Sequence, residues 1–248
     1  MVRSSPLFHF KHGNHGCVFY RSEQALLEVL TPYIADGLRH GERCFCAQKP
    51  HVIKRLLFDL RFIGFDTDRE IRQGALELHT EDEVYFPNKQ FEPEVLMQLL
   101  TDSIDESVKS GYSGFRTAGE LSWAIEGHSQ CDQLLDYERM VEGAYPERKA
   151  VGICQYDMSK FPSHVLEAAL EIHRSHVFES KPNSHHSSLG LGFGECTAEI
   201  VADRFVLNPG YYYVVQQRFP REVVGWGLAP DFDTAAGHAE RLARETTL

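Results

Sequence analysis

His15 and Cys17 stand two residues apart in an apolar run, 16–20, that reads as a strand, so their side chains fall on one strand face. An imidazole beside a thiol is the beginning of a metal or haem site. Cys154, in the strongest strand pattern of the chain (150–156), would join them if the two strands were neighbours. The competing reading is packing, because no C-x-x-C or H-x-x-x-H pattern occurs and a cysteine in a strand commonly acts as a small core residue. No metal or cofactor is therefore assigned from the sequence. Cys44 and Cys46 also share a face, but two residues apart on a strand they are poorly placed for a disulfide and read as buried thiols. His185 and His186 are adjacent in a Ser- and Gly-rich stretch with no third ligand in pattern, and read as part of a polar loop.

Charge supplies the next candidates. Arg116 lies inside an apolar strand, where an unpaired guanidinium would be costly, so it needs a carboxylate partner; Glu120 and Glu138 are the expected ones. Two roles stay open for it: a buried ion pair that fixes the sheet, or an anchor for an anion or carbonyl group. The turn after the first strand, Val18-Phe19-Tyr20-Arg21-Ser22-Glu23-Gln24-Ala25, occupies the place of a phosphate loop but has no glycine and no lysine. Phosphate loops need small residues for close backbone approach and a lysine for charge. Glu120 falls where an ATPase would keep its acidic residues, with no phosphate loop for it to serve.

The elements that must position these residues alternate. Strands are expected at 16–20, 44–47, 75–79, 114–118 and 150–156, and helices after Ser22, where apolar residues recur at helical spacing from Leu26 to Leu38, and at 50–63, 93–110, 130–142 and 162–174. Ser22 is a candidate N-cap, Pro32 a candidate kink, and Tyr85 and Phe86 fall in a polar loop. This βαβ alternation predicts an α/β fold with a mainly parallel sheet covered by helices on both faces. Ligands of such sheets bind outside the carboxyl ends of the strands. The loops meeting there, 20–23, 47–49, 119–123 and 156–159, carry Tyr20, Arg21, Glu120, Trp123, Tyr156 and Asp157. An aromatic wall with a few polar groups suits a small organic ligand better than a triphosphate. Alternatively, Tyr20 and Trp123 simply fill that space. Residues 181–194 read as a linker or mobile loop, and 195–248 as a small β/α appendage with strands at 198–206, 211–217 and 222–228 and a helix at 234–245. Alternation along Tyr211-Tyr212-Tyr213 should expose at least one tyrosine, a feature that favours a protein contact.

Acidic residues outnumber basic ones 36 to 25, for a formal charge of −11, which argues against broad attraction to nucleic acid or anionic membrane. No run of about 20 apolar residues and no signal-peptide pattern is present, so a cytosolic protein without direct nucleic-acid or membrane contact is expected. The six scattered cysteines fit a reducing compartment.

Five ordered blocks carry a family resemblance: His15-Gly16-Cys17-Val18-Phe19-Tyr20; Gly37-Leu38-Arg39-His40-Gly41-Glu42-Arg43-Cys44; Phe115-Arg116-Thr117-Ala118-Gly119-Glu120-Leu121-Ser122-Trp123; Tyr137-Glu138; and Ile153-Cys154-Gln155-Tyr156-Asp157. Together, across residues 9–180, they resemble the MEDS (methanogen/methylotroph, DcmR sensory) domain. The segment 37–42 resembles the helix-to-strand junction of RecA/KaiC-like ATPases. The resemblance implies a RecA-like fold lacking its phosphate loop, and a non-catalytic sensor of small organic molecules found beside kinase or DNA-binding modules. Taken with the residues singled out above, the expected ligand-binding set is His15, Cys17, Tyr20, Arg21, Arg116, Glu120, Trp123, Glu138, Tyr156 and Asp157. Domains are accordingly expected at 1–180, 181–194 and 195–248. With no helix-turn-helix before residue 9 and no kinase motif, the partner is expected in trans: a histidine kinase or transcription factor, with a homo-oligomer also allowed. The rival readings are a ligand-free interaction adaptor of the anti-sigma or kinase-associated kind, and a residual NTPase.

Overall fold

Parallel strands need a crossover long enough to return the chain to the same edge, and each short apolar run here is followed by a helix that supplies it. The computed structural model describes residues 11–125, 131–173, 175–179, 187–193, 196–202, 211–217, 222–229 and 232–246. The chain divides into two units, Phe10–His173 and one that takes in Arg174–Leu248.

The first unit runs β1 (His15–Tyr20), α1 (Glu23–Arg39), β2 (Arg43–Ala47), α2 (Pro50–Phe62), α3 (Thr67–Arg72), β3 (Leu76–His79), α4 (Glu81–Tyr85), α5 (Pro93–Lys109), β4 (Phe115–Glu120), a 3-10 turn (Ser122–Ala124), α6 (Cys131–Ala144), β5 (Ala150–Asp157) and α7 (Ser163–Ile172). Its strands lie in the order β1-β5-β4-β2-β3, and every pairing is parallel. The fold is α/β, a parallel sheet with helices on both faces. Among the described residues no helix is long and apolar enough to cross a membrane.

Register divides the sheet chemically. Partnered residues of parallel strands point the same way, so His15, Cys17, Thr117, Gly152, Cys154 and Tyr156 share one face. Arg116, Glu120, Cys44 and Tyr20 share the other. The first face is covered by α5 and α6, the second by α1.

Two short helices depart from the expected pattern. The polar loop expected around Tyr85 contains α4, whose start is a capping box: Thr80 accepts from the Glu83 amide, and Glu83 accepts from the Thr80 amide at 2.8 Å. The T-x-x-E signal was legible, but one turn of helix carries too little periodicity to register. The six-residue α3 was hidden for the same reason. Ser22 does cap α1, accepting from the Ala25 amide at 3.2 Å, and Pro32 stands within that helix.

The second unit holds β6 (Ser175–Glu179), β7 (Ser187–Phe193), β8 (Cys196–Ala202), β9 (Tyr211–Gln217) and β10 (Glu222–Ala229), antiparallel in chain order, with α8 (Phe232–Thr246) against β8, β9 and β10. Ser187–Phe193, which falls within the linker or mobile loop expected at 181–194, is a strand. Leu189, Leu191 and Phe193 alternate with Ser188, Gly190 and Gly192, so Ser187–Phe193 has strand period despite its loop-like composition. His185 and His186, and the side chains of Tyr211 to Tyr213, lie outside the described residues. α8 buries Ala235, Ala236, Ala239 and Ala243 on one face.

Gly37 sets the distance between α1 and the sheet. A Cβ there would sit 2.6 Å from Cys44 Sγ and 2.7 Å from the Arg116 side chain. Alanine would gain up to about 1 kcal/mol from helix propensity, but overpacking typically costs about 1–3 kcal/mol. Gly37→Ala is expected to lower the urea midpoint, with a net loss of about 1–2 kcal/mol; an equal or higher midpoint would show that α1 has room to move.

Candidate functional site

A buried polar cluster forms where β1, β5, α6 and the end of α7 meet. His15 Nε2 lies 3.1 Å from Cys154 Sγ, and Cys154 donates to Glu138 Oε1 at 3.2 Å. His173 Nε2 lies 2.8 Å from Glu138 Oε2. The His15 and His173 rings are 4.5 Å apart, and His15 stacks on Tyr145. All four side chains are buried. Burial, helped by His173, pushes the His15 pKa down to about 3, so the ring is neutral. Burial and then Glu138 push the Cys154 thiol well up. Burial would raise Glu138, but His173, His15 and Cys154 outweigh it and hold the carboxyl below its ordinary value. For His173, burial works downward and is overcome by Cys17, Cys154 and Glu138, so its pKa rises. Tyr156 faces Glu138.

A cavity of about 280 Å³ opens beside this cluster. His15 and Cys154 form part of its wall, Thr117 and Phe45 its floor, and Tyr85, Tyr137, Tyr145 and the α5 residues Leu96, Leu99 and Leu100 much of the rest, with His79, Glu83 and Ser103 adding polar groups. Tyr145 reaches the floor because residue 152 is glycine: a Cβ there would lie 2.3 Å from the Tyr145 hydroxyl, which instead hydrogen-bonds Thr117 Oγ1 at 2.6 Å. Burial raises the pKa of all three tyrosines, keeping them as neutral phenols. Among the described residues no Lys or Arg lines the cavity.

The ten residues expected at one site fall into separate places. His15 lines the cavity, with Cys17, Glu138 and Tyr156 in the cluster behind it. Trp123 packs against Tyr85, Phe86 and Phe91 rather than lining the cavity. Tyr20 donates to Glu120 at 2.7 Å, the Ser122 amide and hydroxyl also bind Glu120, and Asp157 accepts from Ser159, so the carboxyl edge is closed by its own hydrogen bonds. Arg21 is exposed there. Only Arg21 and Ser22 separate β1 from α1, too short a connection to wrap a phosphate.

Arg116 pairs with neither Glu120 nor Glu138. It donates to Glu42 at 2.5 Å, to Asp36 at 3.1 Å and to the Tyr33 carbonyl at 3.2 Å, with its guanidinium 4.6 Å from the Tyr33 ring centre. Strand alternation explains the correction: Glu138 approaches the opposite face, and Glu120 is engaged by Tyr20 and Ser122. Sequence reasoning missed His173, Glu142, Thr117 and Tyr145. Nothing in the linear pattern distinguishes His173 from any helix-terminal histidine.

Comparison with known proteins agrees with the sequence blocks. Residues 14–174 match the family described as MEDS, the methanogen/methylotroph, DcmR sensory domain. The transcriptional repressor DcmR of Methylorubrum extorquens (strain DSM 6343 / CIP 106787 / DM4) is 24% identical over 165 residues, 64% of this chain. The match spans 58% of that repressor's length. A KaiC-like protein of the hyperthermophilic archaeon Pyrococcus horikoshii OT3 superposes with a TM-score of 0.46 at 9% identity, covering 87% of this chain and 91% of its own.

The geometry gives Arg116 a structural role with a direct consequence. Arg116→Met would leave Glu42 and Asp36 facing each other, with Glu42 almost wholly buried, and is expected to cost about 3–5 kcal/mol in denaturant unfolding. Arg116→Met combined with Glu42→Gln should recover part of that loss. Equal stability of the single variant and the parent would mean that the ion pair is not what holds α1.

Proposed function

The chain belongs to the MEDS family of sensory domains, and on that premise we propose that it senses a small, neutral organic molecule held in the cavity under α5 and α6. The observation that carries this reading is the cavity's lining. Its volume is near the lower end of small-molecule sites. Apolar walls with neutral phenols, the Thr117 and Ser103 hydroxyls and the imidazoles of His15 and His79 offer hydrogen bonds, and the one carboxylate in the lining, Glu83, adds negative rather than positive charge. That lining suits a short alcohol, ketone or ether and disfavours a phosphorylated ligand. The two-residue turn between β1 and α1 argues in the same direction against a nucleotide.

Binding would act through α5. Leu99 is half-exposed at the cavity mouth while Leu96 is buried against the interior, so one helix both contacts solvent and covers the ligand. An effector that fits better under one position of α5 than another shifts the balance between them. The relay runs to a kinase or transcription regulator, and the sensing unit itself performs no chemistry on its ligand.

The test is a thermal-shift and calorimetric screen of short-chain alcohols, ketones and ethers against the full chain and a Leu99→Trp variant. The expected outcome is saturable stabilisation by at least one compound, about 2.7 kcal/mol when its concentration is 100 times Kd. The Trp variant, filling the mouth from an already exposed position, should stay folded and bind at least about tenfold more weakly. Absence of saturable binding across the panel, or equal binding by the variant, would overturn the cavity as the effector site.

A further inference from the structure

We propose that His15, Glu138, Cys154 and His173 together bind one divalent transition-metal ion of the zinc class. One ligand atom from each lies within 4.8 Å of all the others. An ion held tetrahedrally by bonds of roughly 2.0–2.3 Å needs its donors roughly 3.3–3.8 Å apart. The measured neighbours, at 3.1, 3.2 and 2.8 Å, lie just inside that spacing and the other pairs are no more than 4.8 Å apart, so shifts of about 1 Å or less, outward for the first and inward for any beyond it, complete the shell.

The outer nitrogens of both imidazoles are already engaged. His15 Nδ1 donates to Glu142 Oε2 at 3.2 Å, and His173 Nδ1 donates to the Ala169 carbonyl at 2.8 Å. Each bond orients its ring so that Nε2 faces the cluster, the arrangement by which a carboxylate or a carbonyl fixes a metal-binding histidine. The contact between His173 Nε2 and Glu138 Oε2 points the same way. They are 2.8 Å apart, yet neither atom has an aligned hydrogen-bond partner among the described residues. Two lone-pair atoms facing each other in a buried space require a cation between them, either a proton or a metal.

The donor set selects the metal. Two imidazoles, a thiolate and a carboxylate suit zinc, cobalt or ferrous iron rather than calcium or magnesium, which take oxygen ligands. Four protein donors close the shell, as in a structural site rather than a hydrolytic one. They come from β1, α6, β5 and the residue after α7, so the ion would tie two helices to the sheet. His15 and Cys154 also line the cavity, which gives the ion a path inward. Binding displaces two protons, one from the Cys154 thiol and one held between His173 and Glu138, and both leave to solvent. The inference does not depend on the effector reading, since the ion needs only these four side chains.

The experiment strips the purified full chain with a chelator and titrates it with cobalt(II) and then zinc. Expected are one equivalent per chain, a thiolate-to-cobalt charge-transfer band, and a zinc Kd tighter than about 10⁻⁷ M. Cys154→Ser should abolish the band and weaken zinc at least about 100-fold, whereas Glu142→Gln, a change to a partly exposed positioning residue, should keep the band and weaken zinc about 10- to 100-fold. Circular dichroism confirms that each variant is folded. A folded chain that takes up no metal would overturn the proposal and leave a buried imidazolium–carboxylate pair in its place. Uptake of unchanged affinity in Cys154→Ser and Glu142→Gln would also overturn it, by placing the ion elsewhere.

Discussion

A guanidinium buried inside a parallel sheet must be answered by charge brought to it, and the position of α1 follows from how this chain does so. Arg116 points from β4 toward α1 and meets Asp36 and the Tyr33 carbonyl on that helix and Glu42 just beyond its end. Tyr33 adds a ring face beside the cation and hydrogen-bonds the Thr117 and Val151 carbonyls with its hydroxyl. For these contacts to form, the helix has to lie close, which requires the missing side chain at Gly37. The block from Gly37 to Glu42 is therefore one device: a close approach, a turn and a counter-charge. Its ionic part is weak evidence for stability in itself, because desolvation offsets much of the attraction, but its geometry allows few alternative positions for the helix.

Fixing α1 on one face leaves the other free to be built for binding. The period of two along β1, β4 and β5 sends the ionic residues to α1 and sends His15, Thr117 and Cys154 to the cavity. That alternation was legible from the sequence, and so were the parallel sheet and the shared face of His15 and Cys17, whereas the place of Cys154 beside them depended on the pairing of β1 with β5, which the sequence left open. Less could be seen of which helix would supply each partner. Arg116 was matched to Glu120 and Glu138 by proximity in the blocks, but pairing across a sheet depends on which face a crossover helix covers, and Glu42 and Asp36 are more than seventy residues away in the chain. His173 was invisible for the same reason: its significance comes from lying over β1 and β5, not from its neighbours in sequence. The strand at Ser187–Phe193 was hidden differently, by a composition that resembles a loop while its period does not.

The expected site at the carboxyl edge rested on a general rule for open α/β sheets, and here the edge is occupied by the protein's own hydrogen bonds. Tyr20, Glu120 and Ser122 satisfy one another, and the two-residue turn beyond Tyr20 presents no row of amides to an anion. The space has moved inward, to a cavity whose floor is the sheet itself. Under the proposed reading, the consequence is a change in what can be recognised. An edge site reads charge through helix N-termini and loop amides, whereas a cavity floored by strands and roofed by leucines reads size and a single hydrogen bond. Selectivity in such a site comes from the fit under α5 and from which phenol or imidazole meets the ligand's polar atom. If the cavity holds the effector, as proposed, the polar cluster behind the wall matters to sensing as well as to stability, because His15 belongs to both: whatever fixes its ring also fixes one side of the cavity. A ligand pressing on that ring would be felt at Glu138 and His173, and so at α6 and α7, without any movement of the sheet.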